Sequence, residues 1–268
     1  LQLQMIPKTQ SYFFSSDPAI GAQNRSSDGS SFHIQLNQPI HLPLEAKACS
    51  LAVTQASIWN TSYNVSASIG NNSFNFAYSS TPYPNTIPDG LYSVQGLNAF
   101  VQRQLIANGF AEDSITLTAD ESTQKIIITL QPGFQVLFNS SSTCRDLCGF
   151  NASVIPSVPS GLITAYYGDN TATFNRINQF QIKSNIVNGG IPTNNQADGV
   201  IASVPITSAP GSQVNYAPYN PIEIDCDDLR GHNKSLLSFH LLDQSNRAVE
   251  TNEYYSFVVR INYLMPWY

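Results

Sequence analysis

Apolar and polar positions alternate with a period of two along most of this chain, and one stretch breaks that rhythm. In residues 87–109 (IPDGLYSVQGLNAFVQRQLIANG), Val94, Leu97, Val101 and Leu105 recur at steps of three and four, with Phe100 widening the stripe. That spacing puts one apolar face on an α-helix. Pro88-Asp89-Gly90 supplies a turn ahead of it, and Ser93 stands where a side chain can cap the first backbone N–H groups. Asn108-Gly109 supplies a left-handed C-cap. The pattern predicts a helix over 93–109, lying across a sheet built by the rest of the chain.

Around the helix the two-residue period predicts strands. Phe32, Ile34 and Leu36 alternate with His33, Gln35 and Asn37, and Pro39 and Pro43 bracket a short edge segment. Residues 49–58 (CSLAVTQASI) read as a second strand. Residues 65–78 read as a hairpin, VSASI and SFNFAY around Gly70-Asn71-Asn72, with Phe74, Phe76 and Tyr78 on one face. Beyond the helix, 115–118 and 125–130 form another hairpin around ADESTQ, and its IIITL run is β-branched enough for a central strand. A short strand at 135–138 and a compact turn at Leu147-Cys148-Gly149-Phe150 follow. The pattern weakens over 151–176, where Pro156, Pro159 and Gly161 mark a surface loop. Strands resume at 178–186 and 199–206, with the loop NGGIPTNNQADG between them. A turn-rich stretch at 210–220 leads to a short strand at 222–226. The last two strands, 236–242 and 254–263, flank a turn at 243–246, and Tyr255, Phe257, Val259, Ile261 and Tyr263 fall on one face.

Ten or more short strands with one helix predict an all-β fold, an antiparallel β-sandwich. Within that class the expectation is a single jelly roll with one short helix and an inserted loop region or small β subdomain. The expected domain division is a polar N-terminal arm at 1–30, ordering only against a partner, then a jelly-roll domain over 31–268 with an inserted segment at 151–220. No internal repeat is visible.

Composition narrows the function. Charged residues make up 11% of the 268, against roughly 25% in an ordinary globular domain, and Ser, Thr, Asn and Gln take their place. So thinly charged a surface suits a protein packed among neighbours, a bias that secreted β proteins share. The net charge of −6, with no run of Lys or Arg, argues against direct binding of nucleic acid. No apolar run approaches the ~18–20 residues of a membrane helix. No secretory leader is visible, and the first residue is Leu rather than Met, which fits trimming or truncation. Seven N-x-S/T sequons, at Asn24, Asn60, Asn64, Asn71, Asn139, Asn151 and Asn233, point toward a secretory route, although a chain so rich in Asn, Ser and Thr generates them by chance.

Candidate chemistry is sparse. Cys49, Cys144, Cys148 and Cys226 lack paired zinc spacing and are expected as reduced, mostly buried thiols. Asp225, Asp227, Asp228 and His232 form the densest acidic cluster. Such carboxylates could hold Ca²⁺, but their spacing matches no loop motif and fits a solvated turn. His33, His41, His232 and His240 are scattered, and no Ser or Cys sits in a nucleophile motif. Tyr166-Tyr167 and Tyr216/Tyr219 lie among Gly, Ser and Asn. That is the composition of a sugar- or host-contacting tip, or of tyrosines that cover the sandwich ends or a subunit contact.

Three stretches in order carry a resemblance. They are FHIQLNQPIHLP … ACSLAVTQASIWNTSYNVS, then IPDGLYSVQGLNAFVQRQL … KIIITL … DLCGF, then PIEIDCDDL … SLLSFHLLDQSNRAVETNEYYSFVVRINY. Together they resemble the minor capsid, or penton, proteins of virophages and Polinton/Maverick-type elements. The resemblance spans 32–150 and 221–263, and 151–220 carries none. It implies a single jelly roll forming homopentamers at the five-fold vertices of an icosahedral capsid. The partners would be further copies of itself and a neighbouring major capsid protein, in virions assembled inside the host cell. A vertex fibre or host receptor is an open further partner. Such a family has no catalytic, cofactor-binding or metal residues to carry over, so the expectation is a non-enzyme without cofactors. The alternative is a jelly-roll binding module, lectin-like or a fibre head, for host attachment.

Overall fold

The computed structural model describes residues 4–193, 196–197 and 199–267. The expected arm thus lies outside them at residues 1–3, and the expected loop NGGIPTNNQADG lies outside them at 194, 195 and 198. The chain divides into two compact units, residues 1–62 with 177–268, and residues 63–176.

Among the described residues, two four-stranded arrays form the frame of the discontinuous unit. In chain order their strands are β1 (Met5–Ser15), β2 (Ser31–His41), β3 (Lys47–Trp59), β4 (Gln179–Ser184), β5 (Val200–Pro205), β6 (Gln213–Tyr216), β7 (Asn233–Asp243) and β8 (Ser256–Pro266). One antiparallel sheet runs β1-β8-β3-β6 and the other β5-β4-β7-β2. Orders 1-8-3-6 and 2-7-4-5 are those of a jelly roll, two Greek keys folded face to face. Ile224–Asp225 pairs with β3 beyond β6, continuing that edge after a break. The sequence dictates the sandwich through alternation. Along β8, Phe257, Val259 and Ile261 are buried while Val258 and Arg260 are only half covered. Between the sheets, Phe14 and Phe257 of the first meet Phe32 and Phe239 of the second. Phe239 lies at the centre, with ring centroids 4.8 Å from Phe14, 5.2 Å from Phe32 and 5.0 Å from Phe257. Tyr255 is buried as well, and its hydroxyl donates to the Ser30 carbonyl at 3.0 Å, leaving no orphan polar atom there.

The second unit, residues 63–176, enters and leaves between β3 and β4. Its helix α1 (Val94–Ala107) begins as the sequence predicts: Ser93 Oγ accepts from the Gly96 N–H at 3.0 Å. Leu97, Phe100, Val101 and Leu105 are buried and Val94 half-buried, so the predicted face is the buried one. Gly109, at φ +82°, turns the chain out of the helix, a conformation a Cβ would disfavour. The helix packs on the hairpin Ile115–Asp120/Lys125–Leu130, which Thr164–Tyr167 extends to a three-stranded sheet. Asn98 Oδ1 accepts the Leu117 N–H at 2.7 Å and so ties α1 to that sheet. A further sheet runs Thr81–Tyr83, Asn75–Tyr78, Phe134–Leu137, Val154–Ile155. A separate core fills this unit, with Leu97, Phe76, Ile126 and Val136 among its fully covered members.

The jelly roll, its short helix and an inserted β unit agree with the expectation, and five particulars differ. Residues 5–15, within the expected arm, form β1 and pair with all eleven residues of β8. The inserted unit is 63–176 rather than 151–220, because residues 151–176 supply Val154–Ile155 and Thr164–Tyr167 to its sheets. Helix α1 accordingly belongs to the insert and not to the sandwich. Residues 67–70 form a turn and Val65 only an isolated bridge to Gly90, and the hairpin there is Asn75–Tyr78 with Thr81–Tyr83, around Ser79 and Ser80, both at positive φ. The turn-rich stretch at 210–220 contains β6, too short for a period of two to register.

Candidate functional site

The carboxylates of the acidic cluster are taken up by backbone N–H groups and by Arg230. Asp225 Oδ1 accepts the Asp227 N–H at 2.8 Å, and Asp228 Oδ2 accepts the Asn188 N–H at 2.9 Å. Asp227 accepts the Cys49 N–H at 3.3 Å and pairs with Arg230 at 2.9 Å. These carboxylates act as turn caps. Among the described residues no group of three or more His, Cys, Asp or Glu converges as a metal site.

The histidines do not gather either. His33 on β2 faces Ser238, and His240 on β7 faces Ser31, which makes them diagonal neighbours on the second sheet, while His41 lies at the far end of β2 opposite Asn233. Burial, then the nearby His33 and Lys183, lower the His240 pKa below its ordinary 6.5. Tyr166 packs into the core of the insert, whereas Tyr167 is exposed. Tyr216 sits on β6 against the jelly-roll core, and burial raises its pKa. Tyr219 is 98% exposed.

All four cysteines are free, buried thiols. Burial, then Asp227, push Cys49 up to about 11, and burial, then Cys49, push Cys226 up to about 12. Cys148 is raised well above its usual value by its hydrogen bond with Cys144 and by burial. A thiol held neutral in this way is not a nucleophile near pH 7. Among the sequons, Asn64 is buried at 2% exposure, and its side chain donates to the Tyr92 and Phe174 carbonyls and accepts the Tyr92 N–H. A glycan on Asn64 is incompatible with this fold.

Two clefts remain. In the insert, a cleft of about 660 Å³ lies between α1 and Ile115–Asp120, the outer strand of its sheet, rimmed by Gln95, Asn98, Gln102 and Glu121. In the jelly roll, a cleft of about 220 Å³ opens on the outward face of the first sheet. Register explains it. Phe13, Val258 and Gln55 form one row across β1, β8 and β3, and Ser256, Ser57 and Asn215 form the next across β8, β3 and β6. Their inward neighbours Phe14, Phe257, Ala56 and Val214 fill the core, so these six point outward. Small serines between large side chains leave the hollow. Phe13 is 61% exposed, and Ser57 Oγ donates to Asn215 Oδ1 at 3.2 Å. The sequence reading finds Tyr216 beside this cleft but misses Phe13, Gln55 and Asn215. The available signal was the pair Phe13-Phe14, since adjacent residues of a strand cannot both face one core.

No family model matches the chain. No curated protein matches it either. Among solved structures, the chain is similar to the selenomethionine-labelled crystal structure of the mavirus penton protein. The TM-score is 0.43 at 12% identity, over 98% of this chain and 100% of that one. At that identity no residue here acquires a role from the likeness.

Proposed function

We propose that this chain is a structural protein of a viral capsid, a penton that forms homopentamers at the five-fold vertices of an icosahedral shell. The observation that carries the reading is the strand order 1-8-3-6 over 2-7-4-5 in a single jelly roll, an architecture used by viral capsid and lectin domains. Two features of the surface support it. A ring of identical copies needs heterologous contacts that close, and a desolvated charge at such a contact needs a partner. With 12 basic and 18 acidic residues in 268, this chain has few to bury. It also exposes large apolar side chains that packing would cover, with Leu44 at 71%, Val158 at 73% and Leu162 at 76%. The neighbouring major capsid protein is the other partner of the proposal, and the assembled virion is the place of action. Titratable side chains do no chemistry in this reading, and nucleic acid is not contacted directly.

The second reading, an isolated binding module for host attachment, is favoured by the uncharged cleft beside Phe13. Native mass spectrometry over a range of concentrations separates the two. A ring of five is expected. A stable trimer points to a fibre head, and a strict monomer at high concentration points to the binding module.

A further inference from the structure

We infer that the outward cleft on the β1-β8-β3-β6 sheet binds one ring of a neutral saccharide. Its size sets the scale. About 220 Å³ falls below the ~300–1,000 Å³ of sites that enclose drug-sized ligands, so it takes a single small ring with the remainder in solvent. Its chemistry sets the class. None of the ten lining residues carries a charge, and Arg260, on the same face of β8, is already paired with Glu223 at 3.1 Å. An anionic or cationic ligand would lose water there without gaining a counter-charge.

What the cleft offers is an aromatic face next to amides and hydroxyls. Phe13 presents an exposed ring, on which the C–H face of a sugar can lie. The Gln55 side chain, exposed on β3, makes no hydrogen bond among the described residues, and its amide supplies both donors and an acceptor. Asn215 Oδ1 is held by Ser57, which orients its Nδ2 donors, and the Ser57 oxygen keeps its lone pairs. Vicinal hydroxyls, each both donor and acceptor, match that set. A wholly apolar ligand would leave the amides unpaired. An extended peptide would add its strand at the outer edge of β1 or β6, not across the sheet face where the cleft lies. The inference does not depend on the pentamer, since it rests on side chains of one subunit.

Saturation-transfer NMR on the full chain tests it, with glucose, galactose, mannose, N-acetylglucosamine and lactose as probes and sialic and glucuronic acids as charged controls. At least one neutral sugar should bind with millimolar affinity. Phe13→Ala and Gln55→Ala should each weaken it at least about tenfold while the melting temperature stays unchanged, since both side chains are exposed. Silence from all the neutral probes overturns the inference, as does binding confined to the charged controls or undiminished in both variants. Native mass spectra of the same variants keep the two proposals apart. If Phe13→Ala dissolves the ring and no sugar binds, the face is a subunit contact, and the saccharide site falls while the capsid reading stands.

Discussion

The two units of this chain are built from similar residues by different means. The jelly roll depends on long strands, with β1, β2, β7 and β8 each of eleven residues and β3 of thirteen, and its pairings join parts of the chain far apart in sequence. The insert has no strand longer than six residues. Its order comes from a helix and two hairpins whose arms are neighbours in the chain, joined by short pairings such as Asn75–Tyr78 with Phe134–Leu137. Each unit has its own core. The difference teaches that stability here has two separate sources, and substitutions can show whether they act separately.

The largest effect is expected from Leu97→Asp. Leu97 is fully covered in the insert's core, and a carboxylate there has no partner, so the loss should exceed about 5 kcal/mol and unfold residues 63–176. Hydrogen exchange should then show the insert's amides unprotected and those of β7 and β8 still slow. Joint loss of protection would mean that the two cores form one cooperative unit. Phe239→Ala is the complementary cut. It removes the ring at the centre of the jelly-roll cluster and should cost about 3–5 kcal/mol by urea denaturation, leaving the α1 amides protected. Asn64→Ala should cost the insert about 2–3 kcal/mol, since the Tyr92 and Phe174 carbonyls and the Tyr92 N–H all lose a buried partner. A shift in melting no larger than that of an exposed Asn→Ala control would refute the role given to this amide.

The smallest effect at neutral pH sharpens the comparison by titration. Cys49 and Cys226 lie in the jelly roll with pKa values raised from 9.0 to about 11 and about 12. An acid whose folded pKa is raised stabilises the fold fully below its unfolded value, and that stability is lost as pH rises through the folded value. The jelly roll should therefore lose stability between pH 9 and about 11–12, and Cys226→Ala should flatten that slope in melting curves. An unchanged slope would show that Cys226 is not the titrating group.

What the sequence discloses follows the same division. Helix α1 was legible because Ser93, Leu97, Val101, Leu105 and Gly109 state its start, face and end within one window. The hairpin at 115–130 was legible for the same reason. Strand β1 was not, because Pro7, Lys8, Thr9 and Gln10 show no alternation and its partner, β8, lies roughly 240 residues further along the chain. The bounds of the insert failed similarly, since nothing local in 151–176 states that Val154–Ile155 pairs with Phe134–Leu137. The cleft was half legible. Tyr216 stood out by composition, but Phe13, Gln55 and Asn215 come together only once three pairings are known.

The pairing of β1 with β8 also has a consequence for how the protein is made. Residues 63–176 leave the ribosome as a continuous block, with the members of their core complete, and can fold while the rest is still being translated. Strand β1, synthesised before that block, has no such option. Roughly 240 residues separate Ser15 from Ser256, which at ~5–20 residues per second is on the order of ten to fifty seconds of translation. Throughout that interval Phe13 and Phe14 stand side by side on an unpaired strand, open to chaperones and to other nascent chains. Slowing elongation or depleting chaperones should therefore lower the yield of folded protein without changing the stability of the finished sheet.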